Sequence, residues 1–97
     1  MNDRAREALV TAALAGVPQI QGWLRDPFGG PGRCAVGVLE DAARKENTHI
    51  NTWSACSVTE LREIVNANDN LGWDFLTIAR KIGIQQDADA PQEGADL

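Results

Sequence analysis

The sequence predicts an all-α protein, a compact bundle of about four short helices joined by irregular loops. Apolar residues recur at helical spacing in several segments, and in the last of these they occupy a complete i, i+3, i+4, i+7 pattern of Phe75, Ile78, Ala79 and Ile82. Glycine, proline, asparagine and aspartate cluster between these segments, where they favour turns. A chain of 97 residues is long enough for one domain with a single core.

The first helix is predicted to begin at Asn2 or Asp3, because either side chain can cap the first free amides. It is predicted to stop at Gly16 and Pro18, which end helices for conformational reasons. Its apolar face is built mostly of small residues, namely Ala5, Leu9, Ala12 or Ala13, and Gly16. The following segment, residues 17–25, fits either a short turn or a brief helix.

Residues 26–32 predict a loop, since two prolines and three glycines fall within seven positions. The second helix is predicted to begin around Pro31 to Arg33, because proline suits the first helical turn. It passes through Cys34, Val38 and Ala42 and ends near Lys45. The next segment, Asn47 to Ala55, is interpreted as a polar loop anchored by Ile50 and Trp53, with Trp53 the tryptophan most expected to be exposed.

The third helix is predicted to begin after Ser57, because Ser57 and Glu60 have the spacing of a capping box. Its apolar stripe comprises Leu61, Ile64, Val65 and Asn68. Residues 66–72 are rich in Asn and Asp, whose side chains cap backbone groups in turns. The fourth helix is predicted to begin near Trp73 or Asp74 and to end at Gly83.

Residues 1–84 are therefore predicted to form a single helical domain, and residues 85–97 a disordered acidic tail. The tail holds four acidic residues and no basic one, so most of the net charge of −5 arises there. The nearly neutral body argues against duplex nucleic acid as a partner. The chain has no apolar run near the ~18 residues that span a bilayer, so we expect no membrane association and a cytoplasmic location.

The residues around Cys34 allow three interpretations. Two of them are chemical, and in the third the small residues only allow a neighbouring helix to pack closely. In the first, Cys34 is a nucleophile whose pKa is lowered by the helix N-terminus and by Arg33. His49 would then be the base, oriented by Asp69 or Asn68.

In the second reading, the amides of Gly30 and Gly32 and the side chain of Arg33 hold an anion at the helix N-terminus. Trp23 or Trp53 would stack on the ligand or anchor a partner, since tryptophan is frequent in both roles. The sequence predicts no metal site and no cofactor.

The chain resembles a family of small actinobacterial and actinophage proteins over most of residues 5–82. The shared pattern comprises Gln21-Gly22-Trp23 with Asp26, then Gly32-Arg33-Cys34-Ala35-Val36-Gly37-Val38-Leu39, then Ile64-Val65-Asn66-Ala67-Asn68-Asp69-Asn70-Leu71-Gly72. The resemblance implies the helical architecture and an actinobacterial or phage origin, and it carries no activity that transfers to this chain.

The function expected from the sequence is non-catalytic binding. If the source is a phage, a host-takeover or counter-defence protein that sequesters a host protein or an anionic nucleotide signal is the natural hypothesis. The alternatives are a small cysteine hydrolase that uses Cys34 and His49, and a structural accessory subunit that docks through an exposed tryptophan. Homo-oligomerisation is also expected, because so small a domain gains stability from it.

Overall fold

The computed structural model describes the backbone of residues 1–88 and the side chains of residues 1–82. Within residues 1–88 it contains four α-helices, α1 (Asp3–Leu14), α2 (Ala35–Lys45), α3 (Val58–Asp69) and α4 (Phe75–Ala88), and one 3₁₀ turn, Ile50–Thr52. The same residues hold no β-strand, and only two isolated bridges occur, both at Arg33. The predicted all-α bundle of about four helices is confirmed.

Helix α1 begins where its capping residue predicts. The side chain of Asn2 accepts hydrogen bonds from the amides of Arg4 (3.0 Å) and Ala5 (3.3 Å), which the first turn leaves without intrahelical partners. Ala5, Leu9 and Ala12 are buried, as their spacing predicts. Gly16 follows with a φ of 75°, a left-handed conformation that glycine adopts without strain.

Helix α3 begins with the predicted capping box. The Ser57 hydroxyl accepts from the Glu60 amide (3.1 Å), and the Glu60 carboxylate accepts from the Ser57 amide (2.8 Å). Leu61 and Ile64 are buried as predicted. Val65 is not part of the buried stripe, however, because it is 43% exposed.

Helix α4 begins at Phe75, where the Asp74 side chain accepts from the Thr77 amide (2.8 Å). The predicted end at Gly83 is wrong, since the helix continues to Ala88. One glycine inside a helix costs only about 1 kcal/mol relative to alanine, and the residues after it include good helix formers. The rest of the predicted acidic tail, residues 89–97, lies outside the described residues.

The four helices share one core. Helices α1 and α3 each pack against both α2 and α4. The largest fully buried apolar side chains, Leu9, Leu39, Ile64 and Ile78, come one from each helix. No helix within the described residues combines the length and the apolar character needed to cross a membrane.

Candidate functional site

The connection between α1 and α2 carries three large apolar side chains that water can reach. Trp23 is 61% exposed, Leu24 45% and Phe28 95%. All three lie within residues 22–30, which we call the apolar loop. Monomeric proteins commonly expose single apolar side chains, whereas larger exposed apolar patches are typical of contact surfaces.

Backbone hydrogen bonds hold the two ends of the apolar loop together. The Ile20 amide donates to the Arg33 carbonyl (3.0 Å), and the Arg33 amide donates to the Pro18 carbonyl (2.9 Å). Further along, the Asp26 amide donates to the Gly32 carbonyl (3.0 Å). The segment approaching the loop and the segment leaving it are thus joined side by side.

Asn68, near the end of α3, ties this segment to the helices. Its side chain is 1% exposed and uses both of its polar atoms. The Oδ1 atom accepts from the Gln19 side chain (2.7 Å) and from the Ala35 amide (3.0 Å), while Nδ2 donates to the Ile20 carbonyl (2.9 Å). One buried amide therefore caps α2 and fixes the base of the apolar loop. The predicted structural role of the Asn/Asp-rich turn is confirmed at this residue.

The two glutamines before the loop extend the same network. The Gln19 side chain donates to the Trp73 carbonyl (2.8 Å) and accepts from the Phe75 amide (3.1 Å), so it also satisfies the start of α4. The Gln21 side chain donates to the Asn68 carbonyl (3.0 Å), and the Gly22 amide donates to the Asp69 carboxylate (3.1 Å). The loop is consequently held to three helices.

Gly37 allows the loop to lie directly on α2. A Cβ atom at this position would overlap the carbonyl oxygen of Leu24. The predicted close packing of the small residues after Cys34 is confirmed, but the close neighbour at Gly37 is a loop backbone and not the helix that was expected.

The residues of the predicted anion site lie together, but the Arg33 side chain is bound to protein acceptors. The Arg33 side chain donates to the Asp41 carboxylate (3.0 Å) and to the carbonyl of Gly32 (2.8 Å). A Cβ atom at Gly30 would meet the carboxylate of Asp26, which is a negative group where an anion would have to approach. These contacts do not favour an anion there.

The N-terminus of α2 is also occupied by the protein itself. Cys34 is its capping residue, and the Cys34 sulfur accepts a hydrogen bond from the Gly37 amide (3.4 Å). The Asn68 side chain accepts one from the Ala35 amide (3.0 Å). The free amides that would attract an anion at a helix start are thus engaged.

The expectation that Trp53 is exposed is wrong, because its side chain is 4% exposed. The 3₁₀ turn before it packs on α2, and its indole nitrogen donates to the Glu46 carboxylate (2.9 Å). The same carboxylate oxygen accepts from Arg4 (2.6 Å). The polar neighbours Thr52 and Ser54 suggest a surface position, but the ring is part of the core. Trp53 is therefore not an exposed surface for stacking on a ligand.

The three residues of the predicted hydrolase have separate roles. Cys34 is 6% exposed, and burial raises the pKa of its thiol, helped by the negative charge of Asp69 and opposed by the hydrogen bond from Gly37. His49 is exposed and accepts from the Asn51 amide (3.3 Å), and Asp69 accepts from Gly22. No hydrogen bond among the described residues joins any two of the three. The predicted lowering of the Cys34 pKa is corrected to a rise.

Sequence reasoning missed Leu24, Phe28 and Gln19. Phe28 could have been noticed as a large aromatic residue in a proline and glycine-rich turn, where no helix or strand can bury it. Asn68 was visible as a polar residue on an apolar stripe, which signals a buried hydrogen-bonded group. Gln19 has no such signal, because its partners are distant in sequence.

Comparison of the chain with protein-family models, with curated proteins and with solved structures finds no match. The resemblance to small actinobacterial and actinophage proteins stays a prediction.

Proposed function

We propose that this protein is a non-catalytic binding protein whose apolar loop contacts a partner protein. The observation that carries the proposal is the exposure of Trp23, Leu24 and Phe28 on a segment whose base is held to α2, α3 and α4. Binding residues commonly lie on loops that a rigid scaffold positions.

The hydrogen bonds at the base of the loop matter for affinity. A loop that is ordered before binding loses less conformational entropy when the partner docks. Tryptophan is the side chain most enriched among residues that dominate binding energy, because a single ring buries a large area. An ordered loop that exposes Trp23 and Phe28 can therefore anchor an interface.

The geometry favours a protein over a small anion, since Arg33 and the start of α2 already bind protein acceptors. It also favours binding over a cysteine hydrolase, since the Cys34 thiol is buried and its pKa is raised. The resemblance to actinophage proteins extends the proposal to a host protein as the target, in a host-takeover or counter-defence role.

The test is affinity purification from the cells in which the gene is naturally expressed. Three tagged versions are compared: the unchanged chain, the double variant Trp23→Ala/Phe28→Ala, and Val58→Ala. Val58 is the matched control, because it is 48% exposed at the start of α3, outside the apolar loop. Circular dichroism verifies that all three are folded.

We expect a partner that the unchanged chain and Val58→Ala retain equally and that the double variant loses. Truncating two interface anchors should weaken binding by about tenfold or more. Equal retention by all three versions, or no partner for the unchanged chain, would contradict the proposal.

A further inference from the structure

A groove of about 570 Å³ lies between α1 and α2, and no residue of the apolar loop lines it. Its floor is apolar and is formed by Ala8, Ala12, Val38 and Ala42. The start of α1 lies beside the end of α2, since Arg4 pairs with Glu46 (2.6 Å). At the opposite end, Arg33 pairs with Asp41 (3.0 Å). The groove is also lined by Val17, which follows α1, and by Arg33, which precedes α2, so the two helices run in opposite directions along it.

Two charges on the rim have no such pairing. Glu7 on α1 and Lys45 on α2 both line the groove, and neither forms an ion pair with a described residue. Each is exposed. One wall thus offers a negative charge and the other a positive charge, so a twofold contact between two identical surfaces can pair each charge with its opposite.

A twofold axis laid along the groove brings these charges together. Such a rotation preserves position along the axis and places α1 of one copy over α2 of the other. Glu7 lies three residues after Arg4, and Lys45 directly precedes Glu46, so the two differ by only ~3 Å along the groove at 1.5 Å per residue. Glu7 of each copy then meets Lys45 of the other.

The same rotation gives a role to the exposed Leu14. It lies seven residues after Glu7, on the same row of α1, and is 80% exposed. Counted from the Arg4–Glu46 pair at ~1.5 Å per residue, Leu14 and Val38 lie at similar positions along the groove. In the symmetric arrangement, Leu14 of each copy covers the apolar end of the other copy's groove.

We propose that the groove between α1 and α2 is the interface of a symmetric homodimer, in which Glu7 of each copy pairs with Lys45 of the other. This surface is separate from the apolar loop, so the dimer leaves that loop free for a different protein. The proposal does not rest on the function proposed above.

The test measures the dimer dissociation constant of the full chain by sedimentation equilibrium over a concentration series. Glu7→Lys and Lys45→Glu each place like charges opposite one another, and each should weaken the dimer by about tenfold or more. The double variant Glu7→Lys/Lys45→Glu restores opposite charges and should return the constant toward the wild-type value. Glu63→Lys, the same reversal at an exposed position on α3, is the matched control and should have no effect.

A wild-type chain that stays monomeric throughout the series would overturn the proposal. So would single variants that dimerise like wild type, or a double variant weaker than either single one. Trp23→Ala/Phe28→Ala should leave the dimer constant unchanged, which separates this test from that of the apolar loop.

Discussion

At the scale of single residues, Asn68 connects segments that are distant in the sequence. It is 1% exposed, and its amide joins the end of α3 to the start of α2 and to the Ile20 carbonyl. Buried polar groups are costly unless all their hydrogen bonds are made. Asn68 therefore specifies one position of the segment that carries the apolar loop.

Asn68→Ala should be strongly destabilising. The substitution leaves the Ala35 amide and the Ile20 carbonyl without their partner, at about 1–3 kcal/mol for each buried group left unsatisfied. The measurement is the free energy of unfolding in urea. Asn66→Ala is the matched control on the same helix. Asn66 is exposed, and among the described residues its side chain hydrogen-bonds only to that of Asn70 (2.9 Å). The free energy of unfolding of this variant should therefore stay within about 0.5 kcal/mol of the wild-type value. Similar losses in both variants would contradict the role of Asn68.

At the scale of elements, the contact between α2 and the apolar loop depends on Gly37. Inside a helix glycine is normally a weakness, and replacement by alanine adds about 1 kcal/mol of stability at an unconstrained site. Here the Leu24 carbonyl lies where the new methyl group would be. Steric overlap with a backbone atom cannot be relieved by a change of rotamer.

Gly37→Ala should therefore destabilise the protein, by about 1–3 kcal/mol, against the sign of helix propensity. Thermal and urea unfolding measure the effect. Thr59→Ala, at an exposed position in the first turn of α3, reports the effect of propensity alone and should be neutral or slightly stabilising. A gain in stability for Gly37→Ala would show that the loop does not rest on α2.

At the scale of the whole molecule, folding raises the pKa of both cysteine thiols. Burial raises the pKa of Cys56 from 9.0 to about 11, the N-terminal ammonium lowers it, and Glu63 raises it slightly. Burial raises the pKa of Cys34 in the same direction. The folded state thus keeps protons that the unfolded chain has already lost.

The stability of the whole molecule should consequently fall as the pH rises from 9.0 to about 11. Below this window both states are protonated at Cys56, and its contribution is fully present. Urea unfolding at a series of pH values measures the fall. Cys56→Ala should be less stable at neutral pH, because it leaves a cavity, but should lose less stability across the window. An equal loss in both proteins would rule out Cys56 as a source of the pH dependence.

Much of the helical architecture could be predicted because its signals are local. The caps at Asn2 and Ser57 and the apolar spacing along α1 and α4 involve residues within one or two turns of each other. Such interactions depend only on residues that are close together in the sequence. The end of α4 was misplaced because one glycine is a weak stop signal when the residues after it are compatible with a helix.

The candidate site was only partly predictable. Trp23 could be singled out as an anchor, and it is exposed. Trp53, between the polar residues Thr52 and Ser54, is buried, because the 3₁₀ turn brings it against α2 and Glu46 accepts its indole hydrogen. Arg33 stands at a helix start suited to anions, yet Asp41 already binds it.

The sequence by itself determined the all-α class, the caps at Asn2 and Ser57 and the near-neutral charge of the body, since these follow from composition and from contacts between near neighbours. The tertiary structure alone decided which side chains are exposed and which polar groups have partners. Gln19 and Asn68 are 49 positions apart and share a hydrogen bond, as do Gln19 and Phe75 at 56. No local pattern encodes such pairs, because they form only when the packed core brings distant segments together.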